Sequence, residues 1–397
     1  MKNIFVVHGP NLNLLGTREP EIYGSTTLAE LEDEIAAEGA ALGLHCTFFQ
    51  SNHEGAIIDA LHVTAGSVDA VLINAGALTH YSYALYDALV AIDKPTVEVH
   101  ISNVHARESW RRQSVIRPAA DHVIYGRGAR GYADALRRLV ATAAVPPRRI
   151  SYGTAESQYG ELRVPAGNGP HPVAVLIHGG FWRDVWTLDL MDPLAVDLHG
   201  RGLAVWNIEY HRVGSGGGWP LTMEDVAAAI DYLGVLAPEY GLDLTDVVAI
   251  GHSAGGHLAL WSAARPEQYP EQPDAEPDVI PHRVVALAPV ADLAEGHRQN
   301  LGEGAVEEFL RRSPEEGPER YEVASPAALL PLGVRQLIVH GDADVRVPID
   351  LSQAYADSAA ALDDDVTFHA HKGSDHFDII DPASPEWAGV IEWLASA

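Results

Sequence analysis

Gly251-His252-Ser253-Ala254-Gly255 follows an apolar run and opens a helical one. In that setting a G-x-S-x-G turn exposes a nucleophilic serine hydroxyl. Other segments supply what such a serine needs for acyl transfer. Backbone N–H groups of Gly180 and Phe181, in His178-Gly179-Gly180-Phe181-Trp182, and of Ala254 are candidates for an oxyanion hole. His376 is the candidate base, and Asp344 the candidate acid that orients it, with Asp342 as rival. His252 and His257 flank the serine and are assigned to packing or surface roles. His369 and His371 alternate on one strand face without a third ligand at a telling spacing, so no metal is assigned. Nearer the start, three other clusters carry polar chemistry. Residues 8–24 hold Asn11, Arg18 and Tyr23 in a run too irregular for a helix, as expected of a long site-forming loop. Residues 74–82 add Asn74 and His80. Residues 98–111 add Glu98, His100, Ile101, Ser102, Arg107 and, one helical turn on, Arg111.

The elements that must position these groups fall into two series. Strand-like segments at 3–7, 45–50, 70–74, 96–100 and 122–125 alternate with helical spacing at 28–41, 56–64, 83–91 and 130–142. Five short strands with intervening helices predict a flavodoxin-like, doubly wound parallel sheet in an α/β domain at 1–145. Val145-Pro146-Pro147 then ends a helix and stiffens the chain, marking a linker at 146–150. A second α/β domain at 151–397 has strands at 173–177, 204–208, 247–250, 284–288, 336–339 and 366–369. Its helices are expected at 222–236, 254–264, 351–362 and 386–394. Residues 267–281 read as a surface loop, and 292–332 are long enough to hold a helical cap. There are no internal repeats.

Composition narrows the function classes. A chain of 397 residues exceeds what one core usually supports, so two domains are expected. The net charge is −29, with −5 in residues 1–147 and −24 in residues 148–397. Such acidity disfavours nucleic acid and anionic membranes as partners. The opening apolar run at 4–7 is too short for a signal or a span, and the single Cys46 excludes an internal disulfide; a cytoplasmic location is expected.

Taken in order, the three early clusters are similar to the signature segments of type II 3-dehydroquinate dehydratases, over residues 1 to about 143. No Ser/Thr-Gly phosphate cradle follows the first strand, so a flavin-binding reading is weak. The resemblance implies a cofactor-free anti elimination in which Tyr23 removes the proton alpha to a ketone. Its reference pKa of ~10 must then be tuned by Arg18 and Arg107. Asn11 holds the enolate through a water, His100 protonates the departing hydroxyl, and Glu98 orients His100. Asn74, Ser102 and the backbone of Ile101 hold substrate, and His80 and Arg111 complete the pocket. Gly16 and Gly24 bracket the loop as lid hinges. The family's trimer-based dodecamers imply a large homo-oligomer, in which Asp87 reaches a neighbouring subunit.

Over roughly 150–397, the order Ser253, Asp344, His376 is that of an α/β-hydrolase. His178 to Arg183, Gly251 to Leu258 and Asp375 to Ile380 together resemble serine-dependent kynurenine formamidases. That implies hydrolysis of N-formyl-L-kynurenine, with Trp182 and Trp186 as candidates to line an aryl pocket. Two rival readings stand beside it: a general carboxylesterase, and a catalytically silent assembly module.

Overall fold

A computed structural model describes every residue except 103, 105, 106, 112, 269–276 and 397. The chain divides into two compact units, Met1–Val145 and Pro146–Ala397.

In the first unit, strands β1 (Asn3–His8), β2 (His45–Gln50), β3 (Ala70–Asn74), β4 (Thr96–His100) and β5 (His122–Tyr125) form one sheet in the order β2-β1-β3-β4-β5. Every pairing is parallel. That is the flavodoxin-like order. Strands β3 and β4 are buried at every position, the mark of a parallel strand covered on both faces. Ile4 and Val6 feed one core and Phe5 and Val7 the other, on opposite faces of β1. Helix Leu28–Ala41 starts where Thr27 and Glu30 make a reciprocal capping box. It buries Leu31, Ile35 and Gly39 at four-residue spacing. A Cβ on Gly39 would lie 2.7 Å from Cys46 Sγ, so the lone thiol is a packing group against that helix.

The second unit is an α/β-hydrolase fold. Its strands are β6 (Arg148–Ser151), β7 (Tyr159–Arg163), β8 (His171–Ile177), β9 (Ala204–Ile208), β10 (Leu242–His252), β11 (Arg283–Leu287), β12 (Arg335–Gly341) and β13 (Val366–His371). They run β13-β12-β11-β10-β8-β9-β7-β6, and only β7 and β6 are antiparallel to their neighbours. Helices Leu293–Arg298, Ala305–Leu310 and Pro318–Ala324 fill the expected cap segment.

Several expected boundaries move. The linker expected at 146–150 is partly strand: Arg148–Ser151 pairs with β7, and the Arg149 guanidinium sits 3.5 Å from the Tyr159 ring centroid. Strand β7 escaped notice because it is short and carries charge. Its Gly160 exists to admit a ring, since a Cβ there would meet Trp206 at 2.5 Å. The helix expected at 222–236 is two helices, Leu221–Asp231 and Leu233–Tyr240. The loop expected at 267–281 lies mostly outside the described residues. Among the described residues, no helix is long and apolar enough to cross a membrane.

Candidate active sites

Loops leaving the carboxyl ends of β1, β3 and β4 converge in the first unit, at the crevice where β1 and β3 lead to opposite sides of the sheet. Gly9 permits the closest approach: its N–H donates to Asn74 O at 2.7 Å, and a Cβ would strike Ala75 O at 2.4 Å. Asn11 then turns the chain at φ 68°, a region Asn tolerates better than most residues, with its N–H on Asn52 Oδ1. The helical turn Pro20–Tyr23 ends the loop at Tyr23. Tyr23 Oη accepts from Arg107 Nη1 at 2.5 Å. The Arg18 and Arg107 guanidinium carbons lie 5.3 and 5.4 Å from the Tyr23 ring centroid. Glu19 pairs with Arg18 at 3.1 Å and with Arg107 at 3.9 Å.

Buried Glu98 stands behind His100, its Oε1 2.7 Å from His100 Nε2. Ser114 Oγ lies 2.9 Å from both oxygens of that carboxylate. Burial alone would push the Glu98 carboxyl up; the bond and charge of His100 and the Ser114 hydroxyl outweigh it, and the net shift is downward. His80 Nδ1 donates to Gln113 O at 2.7 Å, which leaves Nε2 as its free face. Burial, with the charges of His100 and Arg111, lowers its pKa against the Gln113 bond and Glu98. Asn74 is committed on both ends, donating to Tyr132 Oη at 3.0 Å and accepting from Gly76 N at 3.2 Å.

Ten expected residues line one cleft: Asn11, Arg18, Tyr23, Asn74, His80, His100, Ile101, Ser102, Arg107 and Arg111. Asp87 does not join them. It is exposed on helix Tyr83–Ile92, outside the lining, so a single chain does not bring it to the cleft. Ser114 and Tyr132 were missed: neither stands in a cluster, and only the fold brings them to Glu98 and Asn74.

In the second unit the chemistry again sits beyond the carboxyl ends of parallel strands. Ser253 follows β10 at φ 57°, a strained position for a residue with a Cβ. Its neighbours must be glycine. A Cβ on Gly251 would fall 2.0 Å from Gly255 O, and one on Gly255 2.1 Å from Ile177 O. The segment after β8 abuts the serine: a Cβ on Gly179 would lie 2.9 Å from Ser253 Cβ. Gly180, Phe181 and Trp182 follow with φ of 116°, 55° and 56°. Ala254 begins helix Ala254–Gln268 directly after Ser253.

Asp344, rather than Asp342, reaches the histidine. Its Oδ2 is 2.5 Å from His376 Nδ1, and its Oδ1 accepts the N–H groups of Arg346 and Val347 at 2.8 and 3.0 Å. Asp342 is exposed and holds the Gly373 N–H at 2.6 Å. Burial would raise the Asp344 carboxyl, but donors from His340 and His376 hold it far below the usual range. Burial lowers the His376 pKa, partly offset by Asp344. His252 Nε2 lies 2.8 Å from His376 O, tying the serine's loop to the histidine's. His257 is a core residue, accepting from Trp182 Nε1 at 3.2 Å. Trp186 lies across Gly180 and packs 5.7 Å from Phe377 between ring centroids, whereas Trp182 is fully buried on Phe309. His369 and His371 are ring neighbours at 6.3 Å; among the described residues no group of three or more His, Cys, Asp or Glu is placed to hold a metal. His340 and Glu209, treated below, were also missed.

A family model described as "Dehydroquinase class II" matches residues 2–140. One described as "BD-FAE" matches residues 162–358. The chain is 56% identical over 133 residues to the catabolic 3-dehydroquinase of Verticillium alfalfae, covering 34% of this chain and 89% of that protein. It is 53% identical over 134 residues to the 3-dehydroquinate dehydratase of Dinoroseobacter shibae, again 34% and 89%. A truncated carbohydrate esterase from gut microbiota shares the fold with a TM-score of 0.54 at 20% identity, over 62% of this chain and 94% of that one.

Proposed function

Through residues 2–140 the chain belongs to the class II dehydroquinase family, and we propose that it dehydrates 3-dehydroquinate to 3-dehydroshikimate at the Tyr23–His100 cleft. The observation that carries this is the contact of Arg107 with the Tyr23 phenol oxygen, with a second guanidinium beside the ring. The Arg107 donor holds the phenol oxygen in the cleft, where a general base must stand to reach its proton. Tyr23 removes the proton alpha to the ketone, and the enolate is held by Asn11 through a water. His100 protonates the departing hydroxyl. Its Nε2 is occupied by Glu98, so the proton comes from Nδ1. Asn74, Ser102 and the backbone of Ile101 hold the substrate, with His80, Arg107 and Arg111 around it. Asp87 enters from a second subunit of a trimer-based homo-oligomer. Formation of the conjugated enone by the purified chain tests the activity.

The second unit acts as a serine hydrolase. His376 takes the Ser253 proton and returns it to the leaving group, Asp344 fixes the ring, and the N–H groups of Gly180, Phe181 and Ala254 receive the oxyanion. Trp186 against Gly180 and Phe377 supports an aryl substrate, for which N-formyl-L-kynurenine is the proposed case. The BD-FAE match and the carbohydrate esterase neighbour favour a second reading, an ester as substrate. Kynurenine release beside cleavage of an aryl acetate, each compared with Ser253→Ala, separates the two. A Ser253 that a fluorophosphonate probe fails to label would point instead to a silent assembly module.

A further inference from the structure

Glu209 has no place in the serine chemistry described above, yet it is a fully buried carboxylate ending the strand beside the oxyanion segment. Its Oε1 lies 2.9 Å from His178 Nε2 and 3.3 Å from Arg212 Nη1, and accepts the Tyr210 N–H at 3.0 Å. Its Oε2 accepts the Leu188 N–H at 3.1 Å. Burial alone would raise its pKa. The charges of His178 and Arg212, with these donors, outweigh burial and shift it down, so the carboxylate is ionised. A buried charge is retained only where it is paired and bonded, so this one has a task.

Its partner shows the task. The other ring nitrogen of His178, Nδ1, lies 2.8 Å from Gly179 O. A carbonyl only accepts, so Nδ1 carries a proton there and donates. Gly179 O and the Gly180 N–H belong to one planar peptide and point in opposite directions. Fixing the carbonyl therefore fixes the direction of the Gly180 N–H. This peptide lacks help from regular structure, because Gly180, Phe181 and Trp182 all have positive φ. The ring is clamped further: Tyr210 stacks on it at 4.4 Å and donates through its hydroxyl to His178 O at 2.7 Å.

We propose that Glu209 and His178 are positioning residues of the oxyanion hole, acting as a buried carboxylate–imidazole relay that aims the Gly179–Gly180 peptide at the oxyanion formed on Ser253. This rests on the reading of Ser253 as nucleophile and of Gly180 as an oxyanion donor. A preorganised donor acts in the transition state and not on the ground-state substrate. The relay therefore governs kcat and leaves KM nearly alone.

The test uses the full chain with 4-nitrophenyl acetate as probe, comparing wild type, Ser253→Ala, Glu209→Gln and Tyr210→Phe. Wild-type turnover lost in Ser253→Ala secures the parent reading first; its absence overturns that reading and this inference with it. Given turnover, Glu209→Gln is expected to lower kcat about 10- to 100-fold, less than outright loss of an oxyanion donor. Affinity for a trifluoromethyl ketone falls by the same factor as kcat/KM, while KM and the acid limb of the pH profile stay in place. Tyr210→Phe keeps the stacked ring and gives a smaller loss of the same kind, readable should Glu209→Gln not fold. Unchanged kcat in the folded variant, or lost kcat with ketone affinity retained, overturns the proposal.

Discussion

Asp344 Oδ2 lies 3.2 Å from His340 Nε2, on the oxygen that also meets His376 Nδ1 at 2.5 Å. His340 Nε2 is simultaneously 2.9 Å from Val347 O, and Ser352 Oγ faces Nδ1 at 2.7 Å. Two acceptors on Nε2 place the proton there. Asp344 is thus held by two side-chain and two backbone donors. Hydrogen bonds to charged groups are worth about 1.5–3 kcal/mol. His340→Leu is expected to lower the hydrolase kcat/KM by about 10-fold or more, with His340→Gln, which can still donate, falling less. Steady-state kinetics on an aryl ester decide it.

The pH profile follows from the same pair. Catalysis needs neutral His376, so kcat/KM rises with pH through its titration. Burial, the leading cause, places that titration below the ordinary histidine value. The acid limb should therefore lie below pH ~6.5. Asp344→Asn should cost about 10⁴ in kcat by favouring the wrong tautomer. An acid limb above the ordinary value would refute the burial account.

Ser253 holds φ 57°, where a Cβ costs about 1–2 kcal/mol. Glycine relieves that strain but loses about 0.5–1 kcal/mol in unfolded-chain entropy. Ser253→Gly should be more stable than Ser253→Ala by up to about 1.5 kcal/mol, while both lack activity. Chemical denaturation of the second unit's transition measures the difference; equal stabilities would place the strain elsewhere.

In the first unit, Arg107→Met removes the donor to Tyr23 Oη. Loss of a charged bond of this kind predicts a fall of about 10- to 100-fold in dehydratase kcat. Arg107→Lys should recover part of it, since a point charge replaces a fork. Enone formation at saturating 3-dehydroquinate is the readout.

Ser114→Ala leaves the Glu98 carboxylate without its two-oxygen hydroxyl contact. The folded-state pKa of Glu98 is depressed, so its stabilisation is present above its unfolded value of about 4.3 and is lost as pH falls through the folded one. Ser114→Ala should thus weaken the first unit at neutral pH and slow dehydration by about 10-fold. Denaturation at pH 7 and at pH 3 checks the sign: the penalty must shrink in acid.

How much of this could be read from the sequence depended on whether a residue's partner was its neighbour along the chain. Strand β3 was plain because a parallel strand buried on both faces reads as an apolar run, here Ala70 to Ile73, whereas β4 alternates valine with Thr96, Glu98 and His100. The serine elbow was plain because its sterics demand glycine at fixed positions, here Gly251 and Gly255. Strand β7 was hidden by its charges, and Arg148–Ser151 by its place after two prolines. Ser114, Glu209 and His340 were invisible for another reason. Ser114 and Glu209 act through a carboxylate and an imidazole that only folding brings within reach; His340 stands just four residues before Asp344, but a lone Ser, Glu or His is by type more often structural. Asp87 shows the converse, a residue whose expected contact needs a second chain.

The most direct measurement is enone formation from 3-dehydroquinate by the full chain, beside Tyr23→Phe and Ser253→Ala. Turnover by the wild type, untouched in Ser253→Ala and reduced at least about 10²-fold in a folded Tyr23→Phe, is the predicted result. No turnover by the wild type, or full activity in Tyr23→Phe, would contradict it.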